Sequence, residues 1–293
     1  RVMINKHIMT ARKIFTLAFT FQITLCIGQM RERFYMNDLK MYKLNQKVKD
    51  LKHIEYEPRY NNIDSTYVLK IFDFLSMKNN ISTFNRSGYL EKKIELSFDL
   101  KDSMSVSAIW TYNYDKKNRI IREFRDSKKY RDTSSWNYTY NKNNTLIKYY
   151  HKYYRVLYYK YSQSNDLELL TTANSDSTFQ TKMRFVYDKR NRLIRYENYE
   201  DKDSILDLRI LRYDNKSRNY ISEINEDKKY KFKINKFYKY DKYGNIIKIY
   251  NGEQKLTGWF EYVYDRKKNW IDKKCYNSRG KLYNVFKREI TYY

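Results

Sequence analysis

Histidine and cysteine are the first places to look for chemistry, and this chain of 293 residues has few of either. It holds His7, His53, His151, Cys26 and Cys275. A Cys–His nucleophile needs a base oriented by a third group. Nothing near Cys275 in the sequence supplies one, so a structural or exposed thiol is the expectation. No zinc-type spacing and no glycine-rich phosphate loop occurs. No metal and no cofactor is expected, and the chain reads as a non-enzyme.

Aspartates recur at Asp115, Asp188, Asp214, Asp241 and Asp265. Calcium-binding arrays need several closely spaced carboxylates and glycines in each loop. Here a single acid per site is flanked by cations, as in Asp115-Lys116-Lys117. That arrangement repels a cation and suits a carboxylate that accepts backbone N–H groups at a turn. Aromatic residues interleaved with cations are the other chemical feature. Lys148 to Tyr161 includes Tyr149, Tyr153, Arg155, Tyr159 and Lys160. One sheet face carrying such residues could stack sugars or bases and hold anionic groups. The competing expectation is cross-strand aromatic packing with lysine on the wet face.

The elements that position these residues form a repeat. Tyr114-Asp115, Tyr140-Asn141, Tyr161-Ser162, Tyr187-Asp188, Tyr213-Asp214, Tyr240-Asp241 and Tyr264-Asp265 follow one another at intervals of 26, 21, 26, 26, 27 and 24 residues. A period of this size means one structural unit copied many times. Before each dyad apolar residues alternate, as in Tyr238-Lys239-Tyr240, which predicts a strand. After it comes a residue suited to positive φ (Gly244, Asn118, Asn144, Asn165 or Asn191), then aliphatics that start a return strand. Ser217 and Lys268 break this rule, and loops one or two residues longer are expected there. A second turn follows most anchors, at Asp126-Ser127, Asn174-Ser175, Asp201-Lys202, Asp227-Lys228, Asn251-Gly252 and Asn277-Ser278. The unit after Tyr140 is shorter, with a tight outer loop expected near His151. Phe84-Asn85-Arg86-Ser87-Gly88 is a worn upstream copy. The predicted fold is all-β: an elongated, twisted antiparallel β-meander of two-strand units of about 26 residues. Its edge strands would be protected by lysine.

Composition agrees with this and adds a compartment. Tyr occurs 34 times, Gly 6 times and Pro once, which suits strands. The formal net charge is +26, a field that attracts polyanions. Residues 1–28 read as an export signal, starting a short helix at Met9 with Arg12 and Lys13 ahead of an apolar stretch from Ile14 to Leu25. The stretch is shorter than the ~20 residues of a spanning helix. Leu25 before Cys26 disfavours lipid attachment at that cysteine. Removing the signal would leave Cys275 alone, with no internal disulfide. Residues 29–64 are assigned as a leader and capping segment, with a short helix and a strand expected within 36–56. Residues 65–293 are the repeat domain.

Tyr-Asp-x-x-Gly-Asn-Ile, at Tyr240 to Ile246, resembles the YD repeat of bacterial RHS proteins, and residues 84–293 share that pattern. The resemblance implies antiparallel β-hairpins at the seven tyrosine anchors and Phe84, and no catalytic residue. It also implies membership of a group of secreted bacterial β-repeat proteins. Three functions follow as expectations. One is a cell-surface or envelope binding module, with polysaccharide or another protein as partner. Another is a binder of acidic polymers, with nucleic acid disfavoured outside the cell. The third is a fragment of a toxin-delivery shell.

Overall fold

A computed structural model describes residues 42–60, 66–71, 79–98, 103–128, 130–141, 146–151, 155–161, 167–174, 179–199, 204–214, 219–228 and 230–293. The expected export signal, and the helix within it, lie outside these residues. Nineteen strands, β1 to β19, make up the described chain. The leader segment contributes β1, Val48–Tyr60, and β2 is Tyr67–Ile71. From β3, Asn80–Phe84, to β19, Leu282–Tyr292, each strand pairs antiparallel with the next. This is the meander that alternation and turn spacing demand.

The two ends of the meander are joined. Strand β1 pairs with β19 from Val48↔Tyr292 to Tyr56↔Val285. On its other edge it pairs with β3 from Asp50↔Thr83 to His53↔Asn80, and then with β2 from Tyr56↔Ile71 to Tyr60↔Tyr67. Asp50 to His53 thus have a neighbour on each side, and the sheet closes into a ring from which only β2 is left out. Closure satisfies the backbone groups that an open sheet would leave exposed. Pairing, and not the expected lysine guard, therefore protects β3 and β19. The leader acts as the closing strand.

The turns divide between two rims. At the first rim the reversals that are fully described share one geometry. Asp115 N–H donates to Arg119 O and Asn118 N–H to Asp115 O, and Asn118 takes φ 58°. This is a type I turn ending in a left-handed residue, with the register shift that a G1 bulge requires. The same bonds recur at Asn85–Tyr89, Asp188–Arg192, Asp241–Asn245 and Asp265–Asn269. Gly88, Asn191 and Gly244 take φ 86°, 57° and 81° as their residue types predict. Lys268 also does so, at φ 66°. Its loop has the same length as the others, contrary to expectation, because Asp265 Oδ1 accepts from Lys267 N–H and Asn269 N–H and imposes the turn. Asn144, Asn165 and Ser217 lie outside the described residues. At the second rim, Asn251–Lys255 and Asn277–Lys281 repeat the turn, with positive φ at Gln254 and Gly280.

In a ring the side chains of one face converge and those of the other splay. Register places Glu55, Glu95, Glu123, Arg209 and Glu223 on the tyrosine-bearing face, and all are buried. This is the inner face. Lys92, Arg122, Lys239, Lys248 and Lys287 occupy the outer face and are exposed. A ring of this strand number is too wide for side chains to fill, so a polar, ion-paired interior follows. Apolar packing is concentrated at the seam. Leu44, Val48, Leu51, Phe84 and Leu90 form one cluster and Ile54, Leu96 and Phe98 another.

Candidate functional site

The Tyr-Asp rim is built by contacts between successive units. At Asp115, Asp188, Asp241 and Asp265 the carboxylate Oδ1 accepts from two backbone N–H groups, as Asp241 does from Tyr243 at 2.8 Å and Asn245 at 2.9 Å. The tyrosine of the following unit then reaches back across the intervening strand. Tyr114 donates to Leu90 O at 2.8 Å, Tyr140 to Ile120 O at 2.6 Å, Tyr213 to Leu193 O at 2.9 Å and Tyr240 to Tyr220 O at 2.7 Å. Each hydroxyl therefore staples the turn of its predecessor. Tyr264 and Tyr292 instead donate to carboxylates, Asp241 Oδ2 and Asp265 Oδ2.

The fourth residue after the aspartate decides between the two targets. Where it is arginine, the guanidinium occupies Oδ2, as Arg119 Nε does on Asp115 at 2.6 Å and Arg192 Nε on Asp188 at 2.7 Å. The same arginines lie over the next tyrosine, Arg119 at 4.6 Å from the Tyr140 ring centroid and Arg192 at 4.5 Å from Tyr213. The hydroxyl is diverted to the backbone. Where it is asparagine, Oδ2 accepts the phenol and the amide donates to the phenol oxygen, 2.8 Å for Asn245 to Tyr264 and 2.7 Å for Asn269 to Tyr292. Tyr293 extends the series over the seam by donating to Phe84 O. Phe84 itself is fully buried.

These contacts set the charge state of the rim. Partial burial pushes the Asp115 carboxyl up, but the Arg119 guanidinium and the backbone N–H groups of Arg119 and Lys117 outweigh it and hold the pKa below the usual value. For Asp188 the backbone N–H of Arg192 leads the same downward shift. Asp241 is also lowered, its burial being outweighed by Tyr264 and the N–H groups of Asn245 and Tyr243. The acids are ionised and spent on turns. The loop-tip residues Arg86, Lys116, Lys117, Lys189, Arg190, Lys242, Arg266 and Lys267 are exposed. This rim thus presents cations outward while its aspartates face backbone donors.

Asn141 and Asp214 lie in their expected loops and are exposed. Tyr161 and Tyr187 end strands β9, Arg155–Tyr161, and β11, Phe179–Tyr187. In the suggested ligand face, Tyr159 is buried and Lys160 exposed, so these two neighbours alternate and do not share one surface. Tyr149 pairs with Leu157 and Arg155 with Asn174 in the backbone ladder. Tyr153 lies outside the described residues.

Residues that the sequence reading passed over carry the inner face. Arg209 and Glu223 form a buried ion pair, with Lys236 3.9 Å from the carboxylate and Asn225 Nδ2 donating to it at 3.0 Å. Burial opposes ionisation of Glu223, but Arg209 overcomes it and the carboxyl pKa falls. Burial, followed by the Glu223 charge, pushes the Tyr238 phenol up. A carboxylate held this firmly by arginine is a poor general acid or base. Lys93 and Arg125 serve Glu95 in the same way, at 3.5 and 3.7 Å. Among the described residues no group of three or more His, Cys, Asp or Glu is placed to hold a metal ion.

No family model and no curated protein matches the chain. Solved structures give low-similarity matches. A porin-like protein from Bacteroides uniformis is 9% identical at TM-score 0.45, covering 84% of this chain and 99% of its own. A porin-like protein from Bacteroides vulgatus is 11% identical at TM-score 0.30, over 85% and 99%. A TcdB2-TccC3-TEV structure is 11% identical at TM-score 0.39, over 76% of this chain and 15% of that one.

Proposed function

We propose that this protein is an exported, non-enzymatic binding module that holds acidic polymers of the cell surface or envelope on the Tyr-Asp rim. The supporting observation is the separation of charge at that rim. Exposed Lys and Arg occupy the loop tips, while each described capping aspartate accepts hydrogen bonds from its own turn. A one-signed ring of charge on a rigid scaffold attracts polyanions at long range and stays soluble. The reading of export rests on the pattern of residues 9–28.

The outer face bears on the setting. Lys92, Arg122, Lys239, Lys248 and Lys287 are exposed along the strands, and each would cost about 2–4 kcal/mol at a bilayer midplane. The ring is therefore read as standing in water.

A heparin column developed with a salt gradient tests the proposal on the full chain. Retention to several hundred millimolar salt is expected, because each neutralised anionic group steepens the salt dependence. Lys116→Gln with Lys117→Gln should elute earlier. Elution of the unaltered protein at low salt would remove the polyanion reading.

A further inference from the structure

Where β19 meets β1 and β18, Trp270–Asn277, on the inner face, Arg288 stands apart from the other enclosed arginines. Arg209 has Glu223 and Arg125 has Glu95. Arg288 has no carboxylate partner among the described residues. Its guanidinium lies 3.5 Å from the Trp270 ring centroid. Its Nε donates to His53 Nδ1 at a long 3.4 Å, and its sealed Nη1 finds no acceptor. On the same face, Glu55 accepts from Asn284 Nδ2. Rings enclose the group. His53 lies edge-on to Trp270 at 5.7 Å and tilted to Phe286 at 5.6 Å, and Tyr262 lies 6.2 Å from Trp270. Lys273, over the Phe286 ring at 5.3 Å, adds a second positive charge.

An enclosed charge without a counterion is costly to the fold. Burial pulls the Arg288 pKa down to about 9, against the opposing influence of Tyr42 and Tyr262. Stacking on an indole fixes the guanidinium plane and leaves the open Nη2 for an in-plane anionic acceptor.

We propose that Arg288, set between Trp270 and His53 with Lys273 nearby, is the receptor for a tetrahedral oxyanion such as phosphate, bound on the inner face of the ring. The anion supplies the missing charge and accepts from Nη2, the guanidinium nitrogen that is neither sealed nor hydrogen-bonded. It arrives either as the free ion or as a phosphate group carried on a polymer. This site is separate from the rim and does not depend on polymer binding there.

Thermal unfolding and tryptophan fluorescence of the full chain test it, with sodium phosphate compared against sodium chloride at equal ionic strength. Phosphate at about 100 times its Kd should raise Tm by roughly 4–5 °C, and should change the emission of the unaltered protein but not of Trp270→Phe. Arg288→Met should abolish the phosphate-specific shift, and Arg288→Lys should retain part of it. If Arg288→Met does not fold, the fluorescence comparison with Trp270→Phe decides alone. Equal effects of phosphate and chloride overturn the proposal, as does an Arg288→Met protein that responds like the original. A response to a polyphosphate chain together with phosphate supports the polymer-borne source, and to phosphate alone the free ion. A response to heparin with none to phosphate assigns the binding to the rim and overturns the inner site.

Discussion

Tyr213→Phe removes one hydroxyl and leaves Leu193 O without its 2.9 Å donor. The expected loss is about 0.5–1.5 kcal/mol, read from urea denaturation. Alkaline titration tests the staples together. Burial pushes Tyr213 and Tyr292 from 10.0 to about 12. A phenol whose folded pKa is raised contributes stability that is complete below pH 10 and is lost as pH rises toward 12. Beyond the absorbance of the exposed tyrosines, a further rise in tyrosinate absorbance from the buried phenols should therefore coincide with the loss of strand circular dichroism; ionisation of every tyrosine in a protein that keeps its strands would contradict this. The dyads were legible at this scale because tyrosine and aspartate recur at a fixed interval. The hydroxyl targets were not, because each lies a full unit away in sequence, at separations of 20 to 24 residues. The signal that could have revealed the choice of target is the residue four places after the aspartate, Arg119 and Arg192 against Asn245 and Asn269. The oxyanion site was also hidden, since His53, Trp270 and Arg288 meet only through the seam.

The first-rim turn makes opposite demands at two positions. Gly244 has φ +81°, and an added Cβ would come within 3.1 Å of Asn219 Nδ2. Gly244→Ala should cost about 1–2 kcal/mol. Lys268 holds the equivalent conformation with a side chain, so Lys268→Gly should gain up to about 1 kcal/mol. Paired Tm measurements check both signs. Strands and turns were readable from period-two alternation and turn chemistry, which are local. The closing role of β1 was not, because that strand carries no Tyr-Asp dyad and takes its partners from both ends of the chain. A protein lacking residues 1–60 should expose the edges of β19 and β3 and elute as higher oligomers on size exclusion. A stable monomer would argue against closure.

For the whole molecule, the surplus of 60 Lys+Arg over 34 Asp+Glu makes the aspartates that remain ionised more valuable. Folded Asp115, Asp188 and Asp241 sit below the ordinary carboxyl value of 3.8. Their stabilisation is complete above that value and disappears as pH falls through the lower folded values. Asp207, raised by burial, has the opposite sign and softens the loss. Acid unfolding followed by circular dichroism should begin below about pH 4, and Asp115→Asn, less stable at neutral pH, should unfold at the same or a higher pH with a shallower pH dependence.

The seam also imposes an order of events on biosynthesis. Its contacts join residues as far apart as Asn284 and Glu55, 229 positions away, and Arg288 and His53, 235 positions away. At ribosomal speeds of roughly 5–20 residues per second, β1 emerges about 10–50 s before β19 exists. During that interval its hydrogen-bonding edge has no permanent mate, so nascent chains are most vulnerable to mispairing through their earliest strand, and a holdase that shields β1 should raise the yield more than one acting on any later hairpin.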